Sequence, residues 1–201
     1  MRNEGGNQIV LHAPGRGRGR IHPKKFALYA SFASMVMLFS GLTSAFIVRQ
    51  AQGNWLEFPM PSLFYWSTVI IVASSLTLHG SFIAFKKGNQ SWYRTLLVVS
   101  FFLGVGFTIA QYQAWLQMFD QGIYLNGNPS GSFIYVISGI HAAHVLGGLG
   151  ALLVAIVHAF VLPFYRNPVR KLRFEMTLIY WHFVDFLWIY LLLFFLFQQP
   201  A

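Results

Sequence analysis

The sequence contains no cysteine and very few charged residues. None of its 201 residues is a cysteine, which excludes disulfides, thiolate metal sites, iron–sulfur clusters and cysteine nucleophiles. Only 9% of the residues are charged while 56% are hydrophobic, whereas a soluble domain has about 25% charged residues. This composition predicts an integral membrane protein.

Acidic residues are the scarcest of the charged types. The only ones are Glu4, Glu57, Asp120, Glu175 and Asp185. They are too few and too scattered for a hydrolytic carboxylate pair, or for the string of acids that a proton path of its own would need. The sequence also lacks a glycine-rich phosphate loop, a His-Glu-x-x-His helix and a nucleophile elbow. We therefore expect no active site in this chain.

The net charge of +9 arises from this shortage of acids and from basic residues outside the apolar runs. Residues 1–25 form a polar segment with the motif RGRGR at 16–20. Gly-Arg alternation can bind RNA, anionic lipid or an acidic partner, but it is typical of solvated tails. We interpret residues 1–25 as a basic cytoplasmic tail ahead of a membrane domain at 26–201, and we expect no nucleic-acid partner.

Five apolar runs are long enough to cross a bilayer at about 1.5 Å per residue. They are Phe26–Val48, Leu63–Phe85, Trp92–Phe119, Phe133–Leu162 and Phe174–Phe197. Thirteen of the 14 Lys and Arg residues fall on one side of these spans and Arg49 alone on the other. By the positive-inside rule, the N-terminus is cytoplasmic and the C-terminus outside. We predict an all-α fold, a polytopic membrane bundle of five transmembrane helices.

The fifth span contains the stretch YWHFVDFLWIY, from Tyr180 to Tyr190. His182 and Asp185 lie near the middle of the span and share a helical face, and Glu175 lies seven residues before His182. Ionisable groups in a span are costly and are typical of functional sites. Two interpretations remain open: a buried polar pair that fixes helix packing, and a proton or ligand site.

Four further histidines fall within the spans: His79, His141, His144 and His158. His144 and His158 are 14 residues apart, which suits one ligand for each of two stacked haems, but no second helix carries a matching pair. One haem held by His158 and either His79 or His182 stays open. His141 and His144 could bind a metal from adjacent turns, although no third ligand is evident.

Small and hydroxyl-bearing residues recur at helical spacing in four of the spans, and such stripes are typical of packing surfaces in membranes. The stripes are Ala30, Ser34, Gly41 and Ser44 in the first span, Ser67, Ser74 and Ser81 in the second, Gly104, Thr108, Gln111 and Trp115 in the third, and Gly147, Ala151, Ala155 and Ala159 in the fourth.

These motifs together resemble a known family. The stretch Tyr180–Tyr190, preceded by Glu175, closely resembles the last helix of subunit III of haem–copper terminal oxidases. Residues 131–135 (GSFIY) and 139–147 (GIHAAHVLG) resemble the helix before it. Further matches are Gly104, Phe107, Gln111 and Trp115 in the third span, Ser74, Ser75, Thr77 and His79 in the second, and Met37–Arg49 in the first. The resemblance covers about residues 26–197.

The resemblance implies a non-catalytic core subunit of a proton-pumping terminal oxidase of the cytochrome c oxidase type, in the bacterial inner (plasma) membrane. Such a subunit has no cofactor of its own, since haem and copper belong to partner subunits. The implied partners are the catalytic subunit I, subunit II and membrane lipids, with bound phospholipid between helix groups. In the family this subunit braces subunit I, supports proton uptake and protects against inactivation. A five-helix chain resembles the form that lacks the first two of seven helices.

Two positions depart from the family pattern. Met35 and Ala114 stand where the family commonly has glutamates, which puts in doubt any proton-collecting role carried over from those positions. We interpret the in-membrane residues as a structural polar network or as lipid and subunit contacts: His79, His141, His144, His158, Glu175, His182 and Asp185.

Two other functions stay open at this point, a membrane anchor that binds b-type haem and handles quinol, and an independent transporter. A transporter usually has internal repeats or broken helices, and we find neither. The sequence also leaves open whether cytochrome c or quinol is the electron donor, and whether the oxidase belongs to a larger supercomplex.

Overall fold

The computed structural model describes residues 22–163 and 167–198. This part of the chain folds into five α-helices: α1 (Pro23–Ala51), α2 (Ser62–Lys87), α3 (Gln90–Asp120), α4 (Pro129–Val161) and α5 (Pro168–Gln198). All five are long and apolar enough to cross a membrane, and no strand occurs in the described ranges. The predicted all-α bundle of five helices is confirmed.

Most helices extend beyond the predicted spans because capping residues lie outside the apolar runs. The Asn89 side chain accepts a hydrogen bond from Trp92 N at the start of α3, and Asn128 accepts one from Ser130 N at the start of α4. Proline occupies the first turn of α1 and α4, where its missing N–H costs nothing. Gly88, at φ 81°, ends α2 in the left-handed conformation that glycine adopts without strain.

Helices α2, α3, α4 and α5 form a closed ring in which each packs against the next, and α5 returns to α2. Helix α1 lies outside this ring and, within the described residues, packs against α4 and α5 alone. Successive helices run in opposite directions, so one end of the bundle collects basic side chains. We call it the basic end; it carries Lys25, Lys86, Arg94 and Arg170.

The serine stripe of α2 joins this helix to α3, its closest neighbour. Ser74 Oγ donates to the Ser100 carbonyl at 2.8 Å, and Ser81 Oγ donates to the Tyr93 carbonyl at 2.9 Å. Near the opposite end, Gln111 Nε2 donates to Ser67 Oγ at 2.9 Å. These three serines are fully buried, so the packing surface predicted for the second span is confirmed.

The small-residue stripe of α1 does not pack within the described part of the chain. Ala30, Ser34, Gly41 and Ser44 are all exposed, and a Cβ placed on Gly41 would meet no atom within 4 Å. Helix α1 instead contacts the ring through its aromatic side chains. Phe32 stacks on Phe183 of α5 with ring centroids 4.2 Å apart. Phe39 and Phe46 are 1% exposed.

Candidate functional site

The stretch Tyr180–Tyr190 occupies the middle of α5, the helix that contacts α1, α2 and α4. Its two tryptophans, Trp181 and Trp188, are 1% and 0% exposed and lie two turns apart on one side of the helix. The polar members of the stretch, His182 and Asp185, turn toward α2. The stretch Tyr180–Tyr190 therefore lies at the packing centre of the bundle.

Trp181 fits between glycines of two other helices. A Cβ on Gly148 of α4 would lie 3.0 Å from Trp181 Cε3, and a Cβ on Gly104 of α3 would lie 2.7 Å from Trp181 Cη2. A methyl group at position 104 would overlap the indole, and one at position 148 would crowd it. This tryptophan therefore sets how closely α5 approaches its neighbours.

Trp188 adds a directed polar contact to its packing. Its Nε1 donates to Thr68 Oγ1 of α2 at 2.9 Å. Its rings pack against Phe64, Phe107 and His141 at centroid distances of 5.6, 5.4 and 5.1 Å. Because a buried indole N–H without a partner would be costly, Thr68 fixes the orientation of the ring as well as its depth.

His182 and His79 form a polar cluster between α5 and α2. The Ser75 hydroxyl and His182 Nδ1 share a hydrogen bond of 2.5 Å. The imidazoles of His182 and His79 lie 5.7 Å apart, centroid to centroid. Asp185 is 6% exposed and its carboxyl group is within hydrogen-bonding reach of Ser75. Ser75 thus bonds His182 and adjoins Asp185, which lie three residues apart on α5.

His141 and His144 of α4 have separate environments. His141 is fully buried between Phe39, Phe107 and Trp188, and its Nε2 donates to the Val184 carbonyl at 3.1 Å. His144 Nδ1 donates to the Ile140 carbonyl of its own helix at 2.8 Å. His141 therefore joins α4 to α5, whereas the hydrogen bond of His144 stays within α4.

Glu175 pairs with α1 rather than with the His182 cluster. Lys25 Nζ lies 2.7 Å from Glu175 Oε1 at the basic end of the bundle, with the two side chains 25% and 31% exposed. This contact ties the first turn of α1 to α5. Glu175 and His182, which were expected to share one stripe of α5, thus contact different helices. Glu175 contacts α1 and His182 contacts α2.

Arginines cover the last turn of α4 near His158. Arg170 donates to the carbonyls of His158 and Pro163, and Arg94 Nε donates to the Ala159 carbonyl at 2.8 Å. The last carbonyls of a helix, such as those of His158 and Ala159, have no partner within it, and guanidinium groups favour the negative end of the helix dipole. The His158 side chain lines a groove between α4 and α5.

The structure brings together His79, His182 and Asp185, and it separates them from Glu175 and His158. Two residues along a helix correspond to about 200° of rotation, and accordingly Tyr180 faces α4 while His182 faces α2. His158 lines the α4 side and is not paired with the His79 cluster. Within the described ranges no three His, Asp or Glu side chains form a group that could hold a metal ion.

Three contacts that position the polar residues were not predicted from the sequence. Ser75 bonds His182, Lys25 pairs with Glu175, and the Tyr180 hydroxyl donates to the His144 carbonyl at 3.0 Å. Ser75 follows Ser74 directly, so the pair of adjacent serines could have indicated that α2 faces two helices at once. The other two contacts join distant parts of the chain and leave no local signal.

A groove of about 950 Å³ opens between α4 and α5 at the basic end. Its floor is formed by small residues of α4, namely Gly147, Ala151 and Ala155, and Leu28 of α1 also lines it. Asn167, Arg170 and Arg173 lie among the residues at its polar part. The groove combines an apolar floor with cationic side chains, which is the pattern that suits an amphipathic ligand.

Comparison with known families decides the identity. The family model described as "Cytochrome c oxidase subunit III" matches residues 54–199, which include all of α2, α3, α4 and α5. The chain belongs to the cytochrome c oxidase subunit III family. The resemblance seen in the last two helices is confirmed, and the alternative of a haem-binding quinol anchor is not favoured.

Curated relatives in the subunit III family span most of the chain. A protein of Mycobacterium tuberculosis (strain ATCC 25618 / H37Rv), named "Probable cytochrome c oxidase subunit 3", is 30% identical over 162 residues, covering 78% of this chain and 79% of the relative. A protein of Nocardia farcinica (strain IFM 10152) with the same name has the same identity and coverage. "Cytochrome c oxidase subunit 3" of Thermostichus vulcanus is 27% identical over 179 residues, covering 85% and 86%.

The two departures from the subunit III pattern have different environments in the structure. Ala114 of α3 is 0% exposed and belongs to the apolar core. Met35 of α1 is half-buried. A carboxylate at position 114 would need a buried partner in the membrane, and an alanine removes that requirement. Position 114 therefore contributes packing in this member of the family.

Proposed function

We propose that this chain is a core subunit without redox centres in a proton-pumping oxidase that transfers electrons from cytochrome c to oxygen. Oxygen would be reduced to water in the catalytic subunit I, with subunit II as a further partner, and haem and copper would reside in those chains. The observation that carries the proposal is that the family motif Tyr180–Tyr190 coincides with the packing centre of the bundle, where its side chains hold helices. A brace for a larger subunit needs such a rigid centre.

The first test is purification in mild detergent through an affinity tag on this chain. We expect a haem- and copper-bearing subunit to be recovered with it, and the separated chain to be colourless. Mass spectrometry identifies the partners, and the optical spectrum locates the haem. A chain that is recovered alone, or that retains haem after separation, would contradict the proposal.

The second part of the proposal concerns proton uptake and protection during turnover. The basic end would lie in the cytoplasm, with the C-terminus of the chain outside the plasma membrane. There the chain would support the proton entrance of subunit I. The measurement is the loss of oxygen consumption with time, comparing the complete oxidase with oxidase stripped of this chain. Faster inactivation of the stripped enzyme is expected, and equal rates would contradict this role.

The groove between α4 and α5 would hold a phospholipid. Arg173 at its polar part is exposed and suits an anionic headgroup, since a basic residue near such a surface contributes about 1 kcal/mol. Ala151→Phe with Ala155→Phe would fill the floor, while Leu153→Phe on the same helix is an exposed control. Native mass spectrometry should find less bound lipid in the double variant and an unchanged amount in Leu153→Phe.

A further inference from the structure

An exposed polar patch lies on the bundle where α2 and α5 meet. Its centre is the imidazole pair of His79 and His182, 5.7 Å apart, with His79 exposed and His182 half-buried. Large apolar side chains surround the pair: Leu76 is 69% exposed, Ile83 is 41% and Phe186 is 75%. We call this surface the histidine face, defined by these five residues.

The two imidazoles lie at the same depth, within the apolar layer. His79 precedes Lys86 by seven residues on α2, and His182 follows Glu175 by seven residues on α5. At 1.5 Å per residue, both histidines lie about 10 Å from the charged groups of the basic end toward the middle of the membrane. Leu76 and Phe186 lie deeper still, so the face is not part of the aqueous boundary.

His79 has an unsatisfied ring at this depth. His182 shares a hydrogen bond with Ser75, whereas the described residues offer the ring nitrogens of His79 no hydrogen bond. Lipid chains cannot accept a hydrogen bond, and ionisable residues in spans almost always face protein or a water-filled cavity. The exposed position of His79 therefore does not suit a surface that lipid chains cover.

An exposed side of α4 provides a contrast within the same molecule. Leu153, Val154 and Val157 are about as exposed as Ile83 and lie at similar distances from the basic end, yet all three are aliphatic. Such a surface is satisfied by lipid chains. The two surfaces differ in polarity rather than in exposure.

We infer that the histidine face is the docking surface for a transmembrane helix of the haem-bearing subunit, and that this helix presents a hydrogen-bond acceptor to His79. The acceptor is a backbone carbonyl, a hydroxyl or a carboxylate, since the imidazole N–H is the donor left unused. Leu76, Ile83 and Phe186 supply the apolar contact on either side of this bond. The inference rests on the proposed function, because it requires that subunit to be present.

The experiment uses photo-crosslinking in intact membranes of the assembled oxidase. Benzoylphenylalanine replaces Ile83 in one variant and Val157 in the other. Both residues lie four positions before the last residue of their helices, and they are 41% and 49% exposed. We expect irradiation to join this chain to the haem-bearing subunit from position 83, and to give lipid adducts from position 157.

Substitution of His79 supplies the second measurement. His79→Gln keeps an uncharged hydrogen-bond donor, whereas His79→Leu removes it. After detergent extraction, loss of one buried hydrogen bond should lower retention of the haem-bearing subunit by about tenfold in His79→Leu. His79→Gln should retain it, and equal yields of monodisperse chain show that both variants fold.

Each failure has a distinct meaning. Lipid adducts or a dimer of this chain from position 83, or equal retention in His79→Leu and His79→Gln, would overturn the docking surface while the haem-bearing subunit still co-purifies with the unmodified chain. If that subunit never co-purifies, the proposed function fails and the inference fails with it.

Discussion

Trp181 of α5 reaches across the centre of the helix ring to Gly104 of α3, where a Cβ would lie only 2.7 Å from its Cη2 atom. The backbones of α3 and α5 make no close approach to each other within the described residues. The indole therefore bridges helices on opposite sides of the ring, and Leu149 of α4 closes the same notch at 2.9 Å. Because Gly104 has no side chain, Trp181 and Leu149 can both pack against α3, and α3, α4 and α5 meet at this point.

Gly104→Ala should destabilise the bundle because the added methyl group would displace Trp181 or Leu149. Overpacking of this kind costs about 1–3 kcal/mol, and most of that range exceeds the gain of about 1 kcal/mol from replacing glycine in a helix. The measurement is the thermal unfolding midpoint in detergent, followed by circular dichroism. Gly106→Ala on the same helix is the control, since its Cβ would meet Ile70 at an ordinary 3.8 Å. Equal midpoints for the two variants would contradict the bridge.

Asn128 should hold the loop between α1 and α2 in place. Its side chain accepts from Ser130 N and Leu56 N and donates to the Asn54 carbonyl, at 3.0, 3.1 and 3.0 Å. Asn128→Ala removes a helix cap as well as both loop contacts, and a lost cap alone costs about 1 kcal/mol.

Limited proteolysis within residues 52–58 measures the loop directly. Cleavage should accelerate in Asn128→Ala and much less in Asn128→Asp, which keeps the two acceptor contacts. Asn126→Ala, an exposed substitution in the neighbouring loop, serves as the control. Unchanged cleavage in Asn128→Ala would show that the loop is held by other contacts.

The helices could be predicted because span length and apolar composition are local properties of the sequence. The serine stripe of α2 was also predictable, since Ser67, Ser74 and Ser81 recur on one face. The stripe of α1 has the same pattern but is exposed. A small-residue face indicates that close packing is possible, and the sequence of one chain does not reveal whether the partner helix belongs to it.

The spacing of the polar residues on α5 does not predict which helix each of them contacts. Glu175, His182 and Asp185 share a stripe on α5, yet Glu175 pairs with Lys25 while His182 and Asp185 adjoin Ser75. Which partner each residue meets depends on where α1 and α2 cross α5, and this depends on side-chain packing along the whole length of the helices. Spacing identifies residues that share a side, but not their neighbours.

The Lys25 and Glu175 pair should contribute modestly to the attachment of α1. Both side chains are partly exposed, so solvent screening limits their interaction to about 0.5–1 kcal/mol. Lys25→Glu should lower the unfolding midpoint, and the exchanged variant Lys25→Glu with Glu175→Lys should recover most of the loss. Lys24→Glu is the control, because Lys24 is exposed and adjacent. If the exchange recovers nothing, the two charges do not interact across the helices.

Ser75→Ala should weaken the contact of α2 with α5 by removing the hydroxyl that bonds His182. Interhelical hydrogen bonds in membranes contribute about 0.6 kcal/mol on average and up to about 1.7 kcal/mol, and the bond between Ser75 and His182 joins α2 to α5. A double-mutant cycle with Ser75→Ala and His182→Phe measures the interaction, because the two losses should be less than additive if the residues share one bond. Ser44→Ala, on the exposed face of α1, should leave stability unchanged. Additive losses from Ser75→Ala and His182→Phe would mean that each residue acts through other neighbours, and that α2 and α5 are joined chiefly by Trp188 and Thr68.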